Sequence, residues 1–386
     1  MYYVGVDIAK NSHVASIMDD HGVVHLEALK FENNHGGFSR FLDSISEFPK
    51  EELLIGLEST AHYGEVFTQF IFNLGFKVAI VNPLQTSAIR KAGIRKTKND
   101  KIDSLVISRS LILNGWTPLE ERGITTLTLR GLAKARRNLI SQRTRSKIQL
   151  TAYVDQLFPE LASFFKGNLH IKTVYELLLK HTTAKEVSSL HLTKLSNLLV
   201  KSSKGHFTKE TARSLKELAK NSVGIHNPML AFQARMAIEQ IIFFTAQIEQ
   251  VEKESEILVN SLDSVLLSIP GISINSLAAI IGVIGNFQRF SSPRKLNAYA
   301  GLDPVVYESG QFKARSTRMS KRGNSLLRQH LVLAAHNIVK NNETFKAYYD
   351  SKRDQGKTHY NALGHCATKL LRIMYKLECD QVTFNL

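Results

Sequence analysis

The first 115 residues alternate apolar runs of strand period with runs of helical period, and their order leaves few folds open. Tyr2–Asp7, Val14–Met18 and Val23–Phe31 are short apolar runs, with Asp20-His21-Gly22 as the turn between the last two. They predict an antiparallel meander of three strands. Phe38–Ile45 is helical in period, Leu53–Glu58 is a fourth apolar run, Glu65–Leu74 is helical, and Lys77–Asn82 is a strand entering Pro83. Leu84–Lys91 and Lys101–Leu113 then read as helices. Three strands, helix, strand, helix, strand and helices make a mixed α/β sheet. At 386 residues the chain is too long for one ordinary core. The pattern predicts an α/β domain over residues 1–115, a helical linker or coiled-coil region over 116–262 and a mostly α domain over 263–386.

Four carboxylates fall at telling places in the α/β part. Asp7 ends the first strand and Glu58 ends the fourth, while Asp100 and Asp103 stand three apart at a helix start, on one face. Two-metal phosphodiester chemistry uses such a set, because hard Mg²⁺ takes oxygen ligands and two ions clamp the attacking and leaving oxygens. Each acid alone has a plainer reading: Asp7 as a turn residue, Asp100 as a helix cap, Glu58 as the partner of a lysine. Arg90, Lys91, Arg95, Lys96, Lys98 and Lys101 surround Asp100 in sequence, which suits acids that meet a nucleic-acid backbone.

The middle of the chain is helical and strongly basic. Between Arg130 and Lys147 stand seven cations (Arg130, Lys134, Arg136, Arg137, Arg143, Arg145, Lys147) and no acid. Residues 160–228 are polar and carry no usable motif, so they read as an inserted segment. Ile241, Phe244, Ile248, Val251, Ser255, Leu258 and Leu262 then follow a 3,4,3,4,3,4 spacing, a coiled-coil seam with one polar position. An intramolecular hairpin with the basic helix competes with a dimer for that seam.

Near the C-terminus, Ile269-Pro270-Gly271-Ile272 between two helical patterns resembles a helix–hairpin–helix turn, whose backbone N–H groups face a DNA phosphate. Gly271 is its candidate contact. Residues 313–328 hold six cations (Lys313, Arg315, Arg318, Lys321, Arg322, Arg328) and no acid, just after the Ser309-Gly310 turn. A serine beside arginines can attack phosphorus while they stabilise the developing charge. By spacing alone a phosphate-binding loop is the stronger reading.

Charge points to the same partners. Lys and Arg number 50 against 34 Asp and Glu, giving a net charge of +16 and a polyanionic partner. No apolar run reaches the roughly 18 residues of a membrane span, and the first residues read as a strand rather than a signal peptide, so no membrane partner is expected. Cys366 and Cys379 match no zinc spacing and fit a reducing cytoplasm.

Taken together, Val4-Gly5-Val6-Asp7-Ile8-Ala9-Lys10, Glu58-Ser59-Thr60 and Thr97-Lys98-Asn99-Asp100-Lys101-Ile102-Asp103 resemble the DEDD transposases. These are insertion-sequence recombinases related to the Piv DNA invertase and known as bridge-RNA-guided recombinases. Ile269-Pro270-Gly271-Ile272, Tyr299-Ala300-Gly301-Leu302, Ser309-Gly310, Ser320-Lys321-Arg322-Gly323-Asn324 and Leu327-Arg328 resemble that family's second domain. The resemblance covers residues 1–155 and 230–345. It implies a ribonuclease-H-like (RuvC-like) N-terminal domain holding Mg²⁺, with Mn²⁺ as the alternative, on Asp7, Glu58, Asp100 and Asp103. It implies a C-terminal domain whose serine, Ser309 with Ser316 in reserve, forms a phosphoserine link to DNA. Its further implications are a structured guide RNA, donor and target DNA as substrates, a dimer-to-tetramer assembly, and a place near the nucleoid of a bacterial or archaeal cell. Two other readings stay open from the residues alone: a junction resolvase or nuclease that hydrolyses DNA with the four acids, or a nucleic-acid-binding protein without catalysis.

Overall fold

The computed structural model describes residues 1–58, 62–81, 83–92, 100–116, 119, 121–304, 308–309, 312–313 and 319–385. They form two compact units, residues 1–125 and 126–386.

The first unit is built on a five-stranded sheet in the order β3-β2-β1-β4-β5. Its strands are β1 (Tyr2–Ile8), β2 (Ser12–Asp19), β3 (Val24–Glu32), β4 (Leu53–Glu58) and β5 (Lys77–Val81). β1, β2 and β3 run antiparallel, and β4 joins the far side of β1 in parallel, Tyr2 opposite Leu53 through Val6 opposite Leu57. β5 pairs in parallel with β4. This is the strand order of the ribonuclease H fold, and the mixed sheet expected from the sequence is present. The β2–β3 turn forms because the Asp19 carboxylate accepts from the His21 and Val23 amides and Gly22 adopts φ +82°.

Alternation along the strands divides the apolar residues between two faces. Val4, Val6, Ile55, Leu57 and Val78 point to a core rich in Phe31, Phe38, Phe41 and Phe67, covered by α1 (His35–Ile45) and α2 (Glu65–Asn73). His13 of β2 is fully buried there, its ring 5.3 Å from Phe31 and 5.6 Å from Phe67. The opposite face carries Leu54, Ala79 and Val81. It meets α4 (Asp100–Asn114), which follows α3 (Pro83–Ala92).

In the second unit the long α5 (Glu121–Leu157) lies antiparallel to α11 (Pro228–Ser261). Arg136 reaches Glu252, Arg143 reaches Thr245 and Ser146 reaches Gln240, so numbers fall on one helix as they rise on the other. Ile241, Ile248 and Ser255 of the predicted seam are buried. Their burial is intramolecular, between the two arms of a hairpin. The segment without a motif is itself folded: α6 (Glu160–Phe164), α7 (Lys172–Lys180), α8 (Ala184–Ser189), α9 (Leu192–Ser202) and α10 (Lys209–Lys220) share a core with the adjoining ends of α5 and α11.

A third core gathers α12 (Ile274–Ile284), α13 (Pro293–Ala300), α14 (Ser325–Asn341), α15 (Glu343–Asp354) and α16 (His359–Asp380). The short strands β6 (Glu308–Ser309) and β7 (Phe312–Lys313) pair between α13 and α14. Among the described residues no helix is long and apolar enough to cross a membrane.

Candidate active site and nucleic-acid-binding face

Asp7 and Glu58 continue the register that puts Val6 opposite Leu57. They therefore stand at the same end of two neighbouring parallel strands, Asp7 one residue before the last of β1 and Glu58 the last of β4, about 5 Å apart in backbone. Both lie on the α4 face, Asp7 two residues past Gly5 and Glu58 two past Gly56. Those glycines set how deep the helix sits. A Cβ on Gly5 would stand 2.2 Å from the Ser104 carbonyl oxygen, and one on Gly56 would stand 2.6 Å from Leu111 Cδ1. With no side chain at either place, α4 lies close on the two strands, Ser104 and Ser108 over β1 and Leu111, in its last turn, over β4.

Buried hydroxyls then hold the helix in rotation. Ser16 and Ser104 Oγ atoms are 2.7 Å apart, and Ser108 Oγ donates to the Ser16 carbonyl at 3.2 Å. Lys101 pairs with Glu27 of β3 at 3.0 Å. Asp103 is buried in consequence, and Arg90 of α3 approaches its Oδ1 to 3.0 Å. The contact is an ion pair without hydrogen-bond geometry, since among the described residues neither Asp103 Oδ1 nor Arg90 Nε has a hydrogen-bond partner. Thr86, also on α3, donates to Glu58 Oε1 at 2.8 Å. Thr86 has no signal in the sequence, where α3 reads only as a helix, and Arg90 is legible there as one of the cations around Asp100 but not as the partner of Asp103.

Asp7, Glu58 and Asp103 are thus placed by β1, β4 and α4. Asp100 begins α4, but its side chain lies outside the described residues. The donors are all carboxylate oxygens, which suit Mg²⁺ or Mn²⁺. Among the described residues no three His, Cys, Asp or Glu are gathered closely enough to hold an ion. A buried Asp103 Oδ1 that accepts no hydrogen bond from the described residues is a carboxylate in need of a cation, and Arg90 supplies one.

The basic candidates separate by role. Arg136 is tied to Glu252, with Nε at 2.7 Å and Nη2 at 2.6 Å, and Arg137 reaches Ser325 Oγ at 3.5 Å. Arg143 donates to Thr245 Oγ1 at 3.4 Å, and Lys147 is half-buried. Lys134 and Arg145 are exposed on α5, and Arg130 is partly buried. Lys321 and Arg322 are exposed ahead of α14. Arg328 instead donates to the Ala300 carbonyl at 3.1 Å. It belongs to a tight crossing in which Gly301, at φ +69°, meets Gly323, where a Cβ would stand 2.2 Å from the Tyr299 oxygen. Gly271 takes φ +81° in the turn between a single 3-10 turn (Val265–Ser268) and α12, so a short helix precedes it. Ser309 and Lys313 lie on β6 and β7 with side chains outside the described residues, and Gly310, Arg315, Ser316 and Arg318 lie wholly outside them.

Comparison with known proteins agrees with both halves. A family model for DEDD transposases of the IS110 type, described as transposase, matches residues 4–159. A second, described as the transposase IS116/IS110/IS902 family, matches residues 263–350. The chain belongs to the IS110 family of transposases. It is accordingly a DNA-binding enzyme that cleaves and rejoins DNA. Among relatives of this IS110-family transposase, the pilin gene-inverting protein of Moraxella lacunata is 26% identical over 377 residues, covering 97% of this chain and 94% of its own. A 43.6 kDa protein of the insertion element IS110 in Streptomyces coelicolor is 22% identical over 388 residues, covering 98% and 94%. Two solved structures of Thermus thermophilus RuvC match 31% of this chain and 99% and 100% of their own, at 14% and 13% identity, each with a TM-score of 0.23.

Proposed function

We propose that this transposase cuts and rejoins insertion-sequence DNA through a phosphoserine link at Ser309, assisted by Mg²⁺ at Asp7, Glu58, Asp100 and Asp103. The observation that supports the acidic half is the pairing of β1 with β4, which brings Asp7 and Glu58 to the same end of two neighbouring strands, on the sheet face covered by α4, the helix of Asp103. Bound Mg²⁺ would neutralise the scissile phosphate and the oxygens that enter and leave it. Ser309 Oγ attacks phosphorus and loses its proton, the bond from phosphorus to one flanking sugar oxygen breaks, and that oxygen takes up a proton. One phosphodiester replaces another, so a DNA hydroxyl can reverse the step and join a new partner without ATP. Lys313, Arg315, Arg318, Lys321 and Arg322 hold the phosphate backbone in this reading, as do the α5 cations. A structured guide RNA and a tetramer with shared sites complete the proposal, on the resemblance and the net charge of +16.

The likeness to a pilin gene-inverting protein supports inversion of a fixed segment as a second outcome of the same chemistry. Denaturing gels of the protein incubated with DNA and Mg²⁺ test the mechanism. A protein–DNA adduct is expected, absent from Ser309→Ala and from Asp103→Asn. DNA cut by Ser309→Ala without any adduct would establish the hydrolytic nuclease instead.

A further inference from the structure

The segment over residues 160–228 carries no motif, yet it shares a core with α5 near two of its half-buried cations. Arg143 and Lys147 stand one turn apart on that helix, both half-buried. Arg143 is steered by its bond to Thr245 Oγ1 of α11. On α7, Tyr175 packs against the core to which the C-terminal half of α5 contributes Leu150 and Val154, and it is joined to His170, in the loop before α7, by a 3.1 Å hydrogen bond between Nδ1 and the phenol oxygen. The four groups feel one another. Burial lowers the Lys147 ammonium and the Arg143 charge lowers it further. Burial, then Lys147, holds the His170 imidazolium down, and burial pushes the Tyr175 phenol up to about 12 against the pull of Arg143. None of these influences comes from an acid. Among the described residues neither Arg143 nor Lys147 has a carboxylate within ion-pair distance; the nearby Glu176 is paired with Lys172 at 3.6 Å.

Two cations a turn apart repel each other. Losing part of their hydration without a counter-ion makes the pair worse still. A phosphate is the complement: the guanidinium takes two of its oxygens, the ammonium a third, and a phenol O–H can donate to it as well. We propose that Arg143, Lys147, His170 and Tyr175 form a binding site for a nucleic-acid backbone phosphate, which the inserted helical segment completes on the half-buried side of α5. This rests on the reading above that the α5 cations meet nucleic acid. It gives the insert a task, to supply neutral donors that fix where on the helix the backbone is gripped. DNA and RNA offer the same phosphodiester, so the source is left to the experiment.

The test is equilibrium binding of the full chain to a blunt duplex DNA and, separately, to a folded hairpin RNA, each over a salt series. Lys147→Gln is expected to reduce the slope of log affinity against log salt by about 0.9 on a duplex, the loss of one phosphate contact. Tyr175→Phe is expected to weaken binding severalfold with the slope unchanged, and Arg143→Lys to keep the slope. Loss on the RNA alone, the DNA alone or both supports the site and names its ligand. Arg145→Gln and Lys134→Gln, on the opposite, exposed side of α5, keep the underlying reading separate. If they weaken binding while Lys147→Gln and Tyr175→Phe change neither affinity nor slope, nucleic-acid binding by α5 stands and this site is overturned. If none of the four has an effect, both are overturned. Melting temperatures of each variant near that of the parent chain exclude loss through unfolding.

Discussion

Arg90 Nη2 lies 3.0 Å from Asp103 Oδ1, and only 10% of that aspartate side chain is exposed. A guanidinium therefore stands against a carboxylate proposed to hold a metal ion, and one oxygen cannot fully serve both. Replacing Arg90 with Gln should lower the Mn²⁺ concentration for half-maximal cleavage by about fivefold, the order of a partly exposed ion pair of about 1 kcal/mol. A metal titration of cleavage reads this directly. A higher requirement in the variant would show that Arg90 supports the carboxylate rather than competing for it.

Gly5→Ala should be among the most damaging single-methyl changes in the first unit. The new Cβ meets the Ser104 carbonyl, which is backbone and cannot swing away, whereas at Gly56 it meets the end of the Leu111 side chain. Overpacking of this kind costs about 1–3 kcal/mol, a fall of roughly 5–10 °C in melting temperature. Gly56→Ala should cost less. Calorimetry of both variants checks the order, and equal losses would mean that α4 yields as a body.

Arg328→Gln should destabilise the second unit without altering the salt slope of DNA binding. Its guanidinium caps the Ala300 carbonyl at the Gly301–Gly323 crossing. Denaturation and a salt series on one preparation separate the two roles. A reduced slope with unchanged stability would return Arg328 to the contact surface.

Acid should weaken the second unit through His330. Burial, with Arg136 and Arg137 nearby, lowers its imidazole to about 4, and its Nδ1 lies 3.4 Å from Ser276 Oγ. The folded state keeps the ring neutral where the unfolded chain takes up a proton near pH 6.5. The ring therefore opposes folding increasingly as pH falls from about 6.5 towards 4, by about 3 kcal/mol at the lower end. Urea unfolding at pH 7.5 and 4.5 should show a smaller acid loss for His330→Gln than for the parent. Equal losses would remove His330 from the account. His13, buried in the first unit and also lowered by burial, adds a separate acid sensitivity common to both proteins.

Much of this was legible in the sequence because strand period and strand ends are local properties. β1 to β5 fall within a residue or two of the apolar runs, and Asp7 and Glu58 were found because each closes one. What could not be read depends on partners far along the chain. Arg136 looks like a free cation until Glu252, 116 residues away, is packed against it. The predicted seam could not say whether its mate was α5 or a second copy. His170 and Tyr175 sit in a stretch whose polar composition suggested only a linker.

The length of α5 sets a lower bound on what can lie along it. Its 37 residues span about 55 Å, close to the rise of about 16 base pairs of duplex. From Arg130 to Lys147 the helix advances about 25 Å, or roughly seven base pairs. A partner gripped at both places must be a rod of at least that length, so a mononucleotide or very short oligomer can satisfy one end only.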